Sequence, residues 1–152
     1  MSYDFLIKDL NSKLSQKAVG TDKGLAKIGD GIVNLTYSVA KSIYLTKKSS
    51  NNRVIRTGMK VSKTILSNAL KNANMRNFAK NRADAHDIAD TAEALVAYVW
   101  IKNNMTLHEI INVLTNNLSG NLLNRKEEIT SATEAFTILL KKMLEYLPEN
   151  KI

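Results

Sequence analysis

Two carboxylates stand at the start of the most apolar stretch of the chain. The stretch "DIADTAEALVAYVW", residues 87–100, contains Asp90 and Glu93, three positions apart. On a helix this spacing places both side chains on one face, roughly 5–6 Å apart at Cβ, a separation that one hard cation can bridge. Acids in a first helical turn also complement the helix dipole without any ligand. The spacing alone therefore leaves a cation site and a purely structural role open.

A third acid lies in an unusual setting earlier in the chain. Asp30 stands between Gly29 and Gly31 in "GLAKIGDGIVNL", residues 24–35, whose apolar residues recur at helical spacing. Each glycine costs a helix roughly 1 kcal/mol relative to alanine. Either another part of the chain approaches closely here, or the glycines break the helix and Asp30 caps the next one. Local arguments do not choose between these readings.

The elements that position these acids are predicted to be helices throughout. The chain of 152 residues has one proline and six glycines, too few for a many-turned β fold, so we expect an all-α protein with a single domain over residues 1–152. Thr106 and Glu109 predict a capping box at the start of one helix. The other helices are predicted at residues 3–18, 24–45, 60–70, 87–101 and 128–147, with a basic loop at 46–58.

Composition excludes several kinds of site. There are no cysteines, hence no disulfide, thiolate ligand or cysteine nucleophile, and two separated histidines argue against zinc. The longest apolar run, residues 94–101, is far short of the roughly 20 residues that a membrane span needs, and the N-terminus does not resemble a signal peptide. We therefore expect a cytoplasmic protein without a membrane partner.

Charge divides the chain into a basic first part and an acidic second part. The net charge is +8, and residues 1–80 hold 15 lysines and arginines against four aspartates. Such a distribution favours a polyanionic partner, because each phosphate that is neutralised releases counterions. It is equally compatible with a charge that only keeps the protein soluble.

Taken together, the two acidic segments resemble the ribonuclease III family. "LAKIGDGIVNL" is similar to that family's signature, in which an LGD-type tripeptide precedes an apolar run, and "DIADTAEALVAYVWI" is similar to its second acidic motif, D-x-x-E-A-L-x-G/A-x-Y. Between them, "KVSKTILSNAL" matches the family's intervening helix. The resemblance covers residues 25–101, and it extends to the compact Mini-III branch and to short archaeal ribonuclease III-like proteins.

The resemblance implies a helical bundle that acts as a homodimeric endoribonuclease on double-stranded RNA, leaving 5′-phosphate and 3′-hydroxyl ends. Asp30, Asp90 and Glu93 match the family's metal-binding carboxylates, with Asp30 and Glu93 expected to be catalytic. The implied cofactor is Mg²⁺, for which Mn²⁺ can substitute. One ligand differs: where the bacterial enzyme has glutamate four residues before the signature aspartate, this chain has Ala26, as the Mini-III branch also does.

The RNA contacts must then come from this domain, because only 51 residues follow Ile101, too few for a double-stranded RNA-binding module as well. Duplex RNA is recognised mainly through its shape and backbone, which a basic patch can contact. The predicted phosphate contacts are Lys47, Lys48, Arg53, Arg56, Lys60 and Lys63.

Two other functions remain open on the sequence. A ribonuclease III-fold protein that lacks a ligand at Ala26 could bind RNA without cleaving it. Alternatively, "TLHEIINVLTNN" could belong to the helix-turn-helix of a basic DNA-binding regulator, although that reading leaves the three acids unexplained.

Overall fold

A computed structural model describes residues 2–51 and 53–149 of the protein, without the side chains of residues 11–13. This part of the chain is helical and contains no strand. The α-helices are α1 (Gln16–Gly20), α2 (Lys23–Lys48), α3 (Lys63–Asn72), α4 (Ala85–Ile101), α5 (Leu107–Asn116) and α6 (Arg125–Met143). Short 3₁₀ segments span Asp4–Lys13, Arg76–Phe78 and Leu144–Tyr146.

Each α-helix begins at a small polar residue whose side chain accepts a hydrogen bond from the first turn, as N-caps do. Capping boxes start two of them, with Asp84 and Asp87 at α4 and Thr106 and Glu109 at α5. The box predicted at Thr106 is confirmed. The remaining caps are Ser15, Asp22, Ser62 and Asn124.

The N-terminal prediction is wrong in one respect. Instead of one helix over residues 3–18, the chain forms a 3₁₀ segment and then the short helix α1. Ser15 separates them, because its backbone is extended (φ −151°, ψ 164°) and its side chain caps α1 by accepting from Ala18 N.

Helix α4 is the centre of the protein. Residues 91–99 are all buried, and α4 packs against α1, α2, α3 and α6. The longest helix, α2, crosses it and continues unbroken through Gly29 and Gly31, so the reading in which these glycines end the helix is wrong. Because the apolar run of α4 is enclosed on several sides, any acid at its start is held at the edge of the core.

The segment that follows α2 runs back along it. Four side chains of α2, spaced four residues apart, accept hydrogen bonds from alternate backbone N–H groups of residues 55–61. The pairs are Thr46 with Ile55 (2.9 Å), Ser42 with Thr57 (3.0 Å), Ser38 with Met59 (3.1 Å) and Asn34 with Val61 (2.8 Å). Four helical residues rise about 6 Å and two extended residues about 6.6 Å, so the two spacings match. We call residues 53–62 the α2-bound segment.

Candidate active site

The three acids predicted from the sequence lie together where α2 crosses α4. Glu93 is almost fully buried, with a relative exposure of 1%, whereas Asp30 and Asp90 are partly exposed. The carboxyl groups of Asp30 and Glu93 are close enough to share a hydrogen bond when one of them carries the proton. A residue of α2 and two residues of α4, about 60 positions later in the sequence, thus form one cluster at the edge of the core.

Gly29 makes this crossing possible. A Cβ atom at residue 29 would collide with the backbone of Glu93, including its carbonyl oxygen. Gly31, in contrast, has open space where its side chain would be. The close approach that the paired glycines suggested is therefore real at Gly29, and it places Asp30, the next residue, beside the acids of α4.

Two lysines lie against the carboxylates. Lys63 Nζ is 2.9 Å from Glu93 Oε1 and 3.2 Å from Asp90 Oδ1. Lys23 Nζ is 3.1 Å from Asp90 Oδ2 and 3.5 Å from Asp87 Oδ1. Both oxygens of Asp90 therefore face an ammonium group, and one ammonium group bridges the two acids that are three residues apart on α4.

The surroundings shift the pKa values of the two acids of α4 in opposite directions. Burial, together with the hydrogen bond to Asp30, raises the pKa of Glu93 to about 7, although Lys63 opposes the shift. Burial acts to raise the pKa of Asp90 too, but the hydrogen bonds from Lys23 and Lys63 outweigh it and hold that pKa below its usual value. The cluster thus contains one carboxyl group that titrates near neutrality and another that is ionised there.

Asn34 connects the cluster to the α2-bound segment. Its amide Nδ2 donates to Asp30 Oδ1 at 3.3 Å, and its carbonyl oxygen accepts from Val61 N. Val61 immediately precedes Ser62, the N-cap of α3, and Lys63 is the first residue of that helix. One side chain therefore orients Asp30 and anchors the backbone from which Lys63 reaches Glu93.

As they are placed, the carboxylates do not fit a metal ion. Oxygen ligands of this kind suit a hard cation. Within residues 2–51 and 53–149, however, no group of three or more acidic or histidine side chains is arranged to hold one. Lysine nitrogens lie against Asp90 and Glu93 instead. Ala26, at the position of the expected fourth acid, is buried and supplies no oxygen.

Five of the six predicted RNA contacts are exposed basic residues, whereas Lys63 lies against the acids. Lys47 and Lys48 end α2, and Arg53, Arg56 and Lys60 lie on the α2-bound segment; all five are exposed. In that segment the residues whose N–H groups face α2 alternate with exposed ones, so Arg56 and Lys60 extend outward. Lys63 does not join this row, because its ammonium group contacts the acids.

Sequence reasoning missed Asn34 and the contacts of Lys23 and Lys63. No spacing rule could have found the lysine contacts, because Lys23 and Lys63 meet acids on another helix, 27 to 67 positions away. Asn34 lies four residues after Asp30 on α2, so the bond between these two side chains was within reach of helical spacing. The polar residues that recur every four positions along α2 were a visible signal that something polar packs there. The apolar residues that recur at helical spacing in residues 24–35 do not all face the core, since Ile28 and Leu35 are exposed.

Comparison with known proteins decides the family. The ribonuclease III family model matches residues 23–149, which contain all three acids, Lys63 and the α2-bound segment. The chain belongs to the ribonuclease III family. A search of curated proteins finds no match.

Membership in the ribonuclease III family confirms the predicted fold class, since the described residues form an all-helical domain. It supports endoribonuclease action on double-stranded RNA at the level of the family. It also disfavours the DNA-binding regulator, whose proposed helix is α5 and lies inside the matched range, with Ile110 and Leu114 buried. Among the described residues, no helix has the length and apolar character needed to span a membrane.

Proposed function

We propose that this ribonuclease III protein is an endoribonuclease that hydrolyses phosphodiester bonds in double-stranded RNA, leaving 5′-phosphate and 3′-hydroxyl ends. The observation that carries the proposal is the convergence of Asp30, Asp90 and Glu93 at the α2–α4 crossing, in a chain whose family cleaves such RNA. Carboxylates brought together at the edge of a core are costly to keep there, and helix capping does not account for Glu93, which lies beyond the first turn.

The side chains of the cluster support a hydrolytic step. In its ionised form Glu93, with a pKa of about 7, can accept a proton from an attacking water. As that water bonds to phosphorus, the bond from phosphorus to the 3′-oxygen breaks, and the 3′-oxygen takes a proton from solvent. Lys63 and Lys23 can stabilise the negative charge that develops on the phosphoryl oxygens. Asp30 and Asn34 keep Glu93 and its neighbours in place.

The divalent cation stays a prediction. The resemblance implies Mg²⁺, with Mn²⁺ able to substitute, held by Asp30, Asp90 and Glu93. The present arrangement would first have to release the ammonium group of Lys63. The same contacts, with Ala26 in place of an acid, favour the second candidate function, a ribonuclease III-fold protein that binds duplex RNA without cleaving it.

Duplex RNA is proposed to lie along the α2-bound segment. Arg56 and Lys60 are separated by four extended residues, about 13 Å, on a course that ends at Lys63 and the acids. A basic row that leads to a carboxylate cluster can hold the phosphate backbone while one phosphodiester reaches the cluster. Lys47, Lys48 and Arg53 extend the row at its far end.

We also propose a homodimer that pairs through α2. Ile28 and Leu35 are exposed apolar residues on one face of this helix, with Gly31 between them and open space beside it. An apolar face with a glycine at its centre permits close packing of a second helix. A cytoplasmic location is likewise a prediction.

Cleavage of a labelled RNA duplex tests the proposed function. The wild-type chain is assayed with Mg²⁺, with Mn²⁺ and with EDTA, beside Glu93→Gln and Asp30→Asn, and duplex DNA of the same sequence is the control substrate. We expect metal-dependent cleavage of RNA only, lost in both variants. Tight RNA binding without cleavage under every condition would instead select the non-catalytic function.

A further inference from the structure

A cation already stands at the place where the predicted metal would bind. Lys63 Nζ bridges Asp90 and Glu93, the pair of carboxylates whose spacing suits one cation. The two contacts differ in setting: the side chain of Glu93 is 2% exposed and that of Asp90 is 22% exposed. The ammonium group therefore pairs with a carboxylate that has little access to water, and an ionised Glu93 left without any cation there would be strongly disfavoured.

The oxygens that a metal would need are largely engaged. The ammonium group of Lys63 pairs with Oδ1 of Asp90 and Oε1 of Glu93, and that of Lys23 pairs with Oδ2 of Asp90. Asn34 donates to Oδ1 of Asp30. A divalent ion that bound Asp90 and Glu93 together would place a double positive charge within a few ångströms of Nζ, where repulsion is severe. The ion and the Lys63 ammonium group cannot share this position.

The start of α3 is nevertheless anchored by contacts other than the Lys63 ammonium group. Its backbone begins α3, which Ser62 caps and which the bond from Val61 N to Asn34 holds against α2. Its side chain is flexible and about one-third exposed. The ammonium group can therefore swing toward solvent while α3 stays where it is. Lys23 is more exposed and does not contact Glu93, so it is the weaker competitor.

We propose that Lys63 is a resident cation that competes with the divalent ion for this site, so that a metal binds only by displacing its ammonium group. This inference rests on the proposed function in taking Asp30, Asp90 and Glu93 as the cation ligands. It makes the free protein a poor metal binder. The displaced ammonium group of Lys63 would remain beside the acids and could pair there with a phosphate of the RNA.

Titration of Mn²⁺ without RNA, followed by electron paramagnetic resonance, tests the competition. Lys63→Met removes the ammonium group while keeping an unbranched side chain of similar length. We expect it to bind Mn²⁺ at least about tenfold more tightly than the wild type, as removal of one adjacent positive charge predicts. The control is Lys71→Met, which makes the same charge change at the other end of α3 and should bind like the wild type. The gain should disappear in Lys63→Met/Glu93→Gln.

A measurement on the wild-type chain does not depend on how the variant folds. Reductive methylation read by mass spectrometry reports the accessibility of each lysine amine. Lys63 should be labelled slowly without metal and severalfold faster at saturating Mg²⁺, whereas Lys71 should be labelled equally in both conditions.

Two results would contradict the proposed competition between Lys63 and the divalent ion. One is an unchanged or weaker Mn²⁺ affinity in Lys63→Met, and the other is equal labelling of Lys63 with and without saturating Mg²⁺. The outcome is independent of the RNA cleavage assay. A wild-type chain that never cleaves RNA, with tighter Mn²⁺ binding in Lys63→Met, would overturn the proposed function alone. A chain that cleaves RNA without that gain would overturn this inference alone.

Discussion

Gly29 of α2 packs directly against the backbone of Glu93 in α4, leaving no room for a side chain at residue 29. The contact sets the distance between the two helices at the carboxylate cluster. Because Asp30 follows Gly29 and Glu93 is the residue approached, the same contact determines how close these two acids lie. A change in the packing here is therefore a change in the geometry of the site.

Gly29→Ala should destabilise the protein by about 1–3 kcal/mol, the usual range for overpacking, because the added methyl group meets backbone that cannot rotate away. Gly31→Ala is the matched control. Residue 31 has open space and helical backbone, so alanine there should raise the free energy of unfolding by about 0.5–1 kcal/mol. Urea unfolding at a protein concentration low enough to keep the chain monomeric measures both; equal effects of the two substitutions would contradict the close approach.

The sequence predicted the helical class and the acids better than the site around them. Helical periodicity and caps act within a few residues, which is why the box at Thr106 and the position of Asp90 and Glu93 on one helix were predictable. The bridge from Lys63 to those acids depends on how α3 packs beside α4, which no local pattern encodes. Gly29 was the exception, since a glycine within a helix signals a close approach without saying to what.

Asn34→Ala should separate positioning from stability. It removes the hydrogen bonds to Asp30 and Val61 and should lower the free energy of unfolding by about 1–2 kcal/mol. Ser42→Ala removes comparable bonds to Thr57, farther along the α2-bound segment and away from the acids. We expect Asn34→Ala alone to lower kcat for duplex RNA, by about tenfold or more, with little change in KM. The same kcat for both variants would show that Asn34 is only structural.

Arg56→Gln with Lys60→Gln should weaken duplex RNA binding without altering the cluster. Loss of two phosphate contacts should raise Kd about tenfold in moderate salt and flatten the slope of log K against log salt by about 1 for each contact. Lys141→Gln with Lys142→Gln changes the net charge equally at the exposed end of α6. Fluorescence anisotropy over a salt series distinguishes them. If both pairs weaken binding equally, the effect is one of net charge and the α2-bound segment is not the RNA surface.

Leu35→Asp should prevent dimerisation. Leu35 is 52% exposed on the apolar face of α2, and a carboxylate buried between two copies would be costly. Leu123→Asp makes the same change at a residue that is 81% exposed in the loop before α6, and it should leave the dimer intact. Light scattering coupled to size exclusion gives the mass. We expect twice 16.9 kDa for the wild type and the control, and one chain for Leu35→Asp. A monomeric wild type would make the homodimer prediction wrong.

The raised pKa of Glu93 predicts a stability that falls as the pH rises toward neutrality. The pKa is about 7 in the folded protein against an ordinary value of 4.5, so between these values the folded chain holds a proton that the unfolded chain has released. Unfolding then becomes easier with increasing pH, by at most about 3 kcal/mol in total, and the dependence ends above pH 7.

The contribution of Asp90 to stability depends on pH in the opposite direction, because its lowered pKa gives a stability that is lost only as the pH falls below its ordinary value of 3.8. Lys63, whose pKa is raised because Glu93 and Asp90 outweigh the effect of burial, loses its contribution only above 10.5. Neither interferes between pH 5 and pH 8. The free energy of unfolding is measured for the wild type and Glu93→Gln in EDTA at fixed ionic strength. As the pH rises from 5 to 8, the wild type should lose stability relative to the variant. A difference that is flat or moves the other way would mean that Glu93 is already ionised at pH 5, in which case it is not the group that accepts a proton near neutrality.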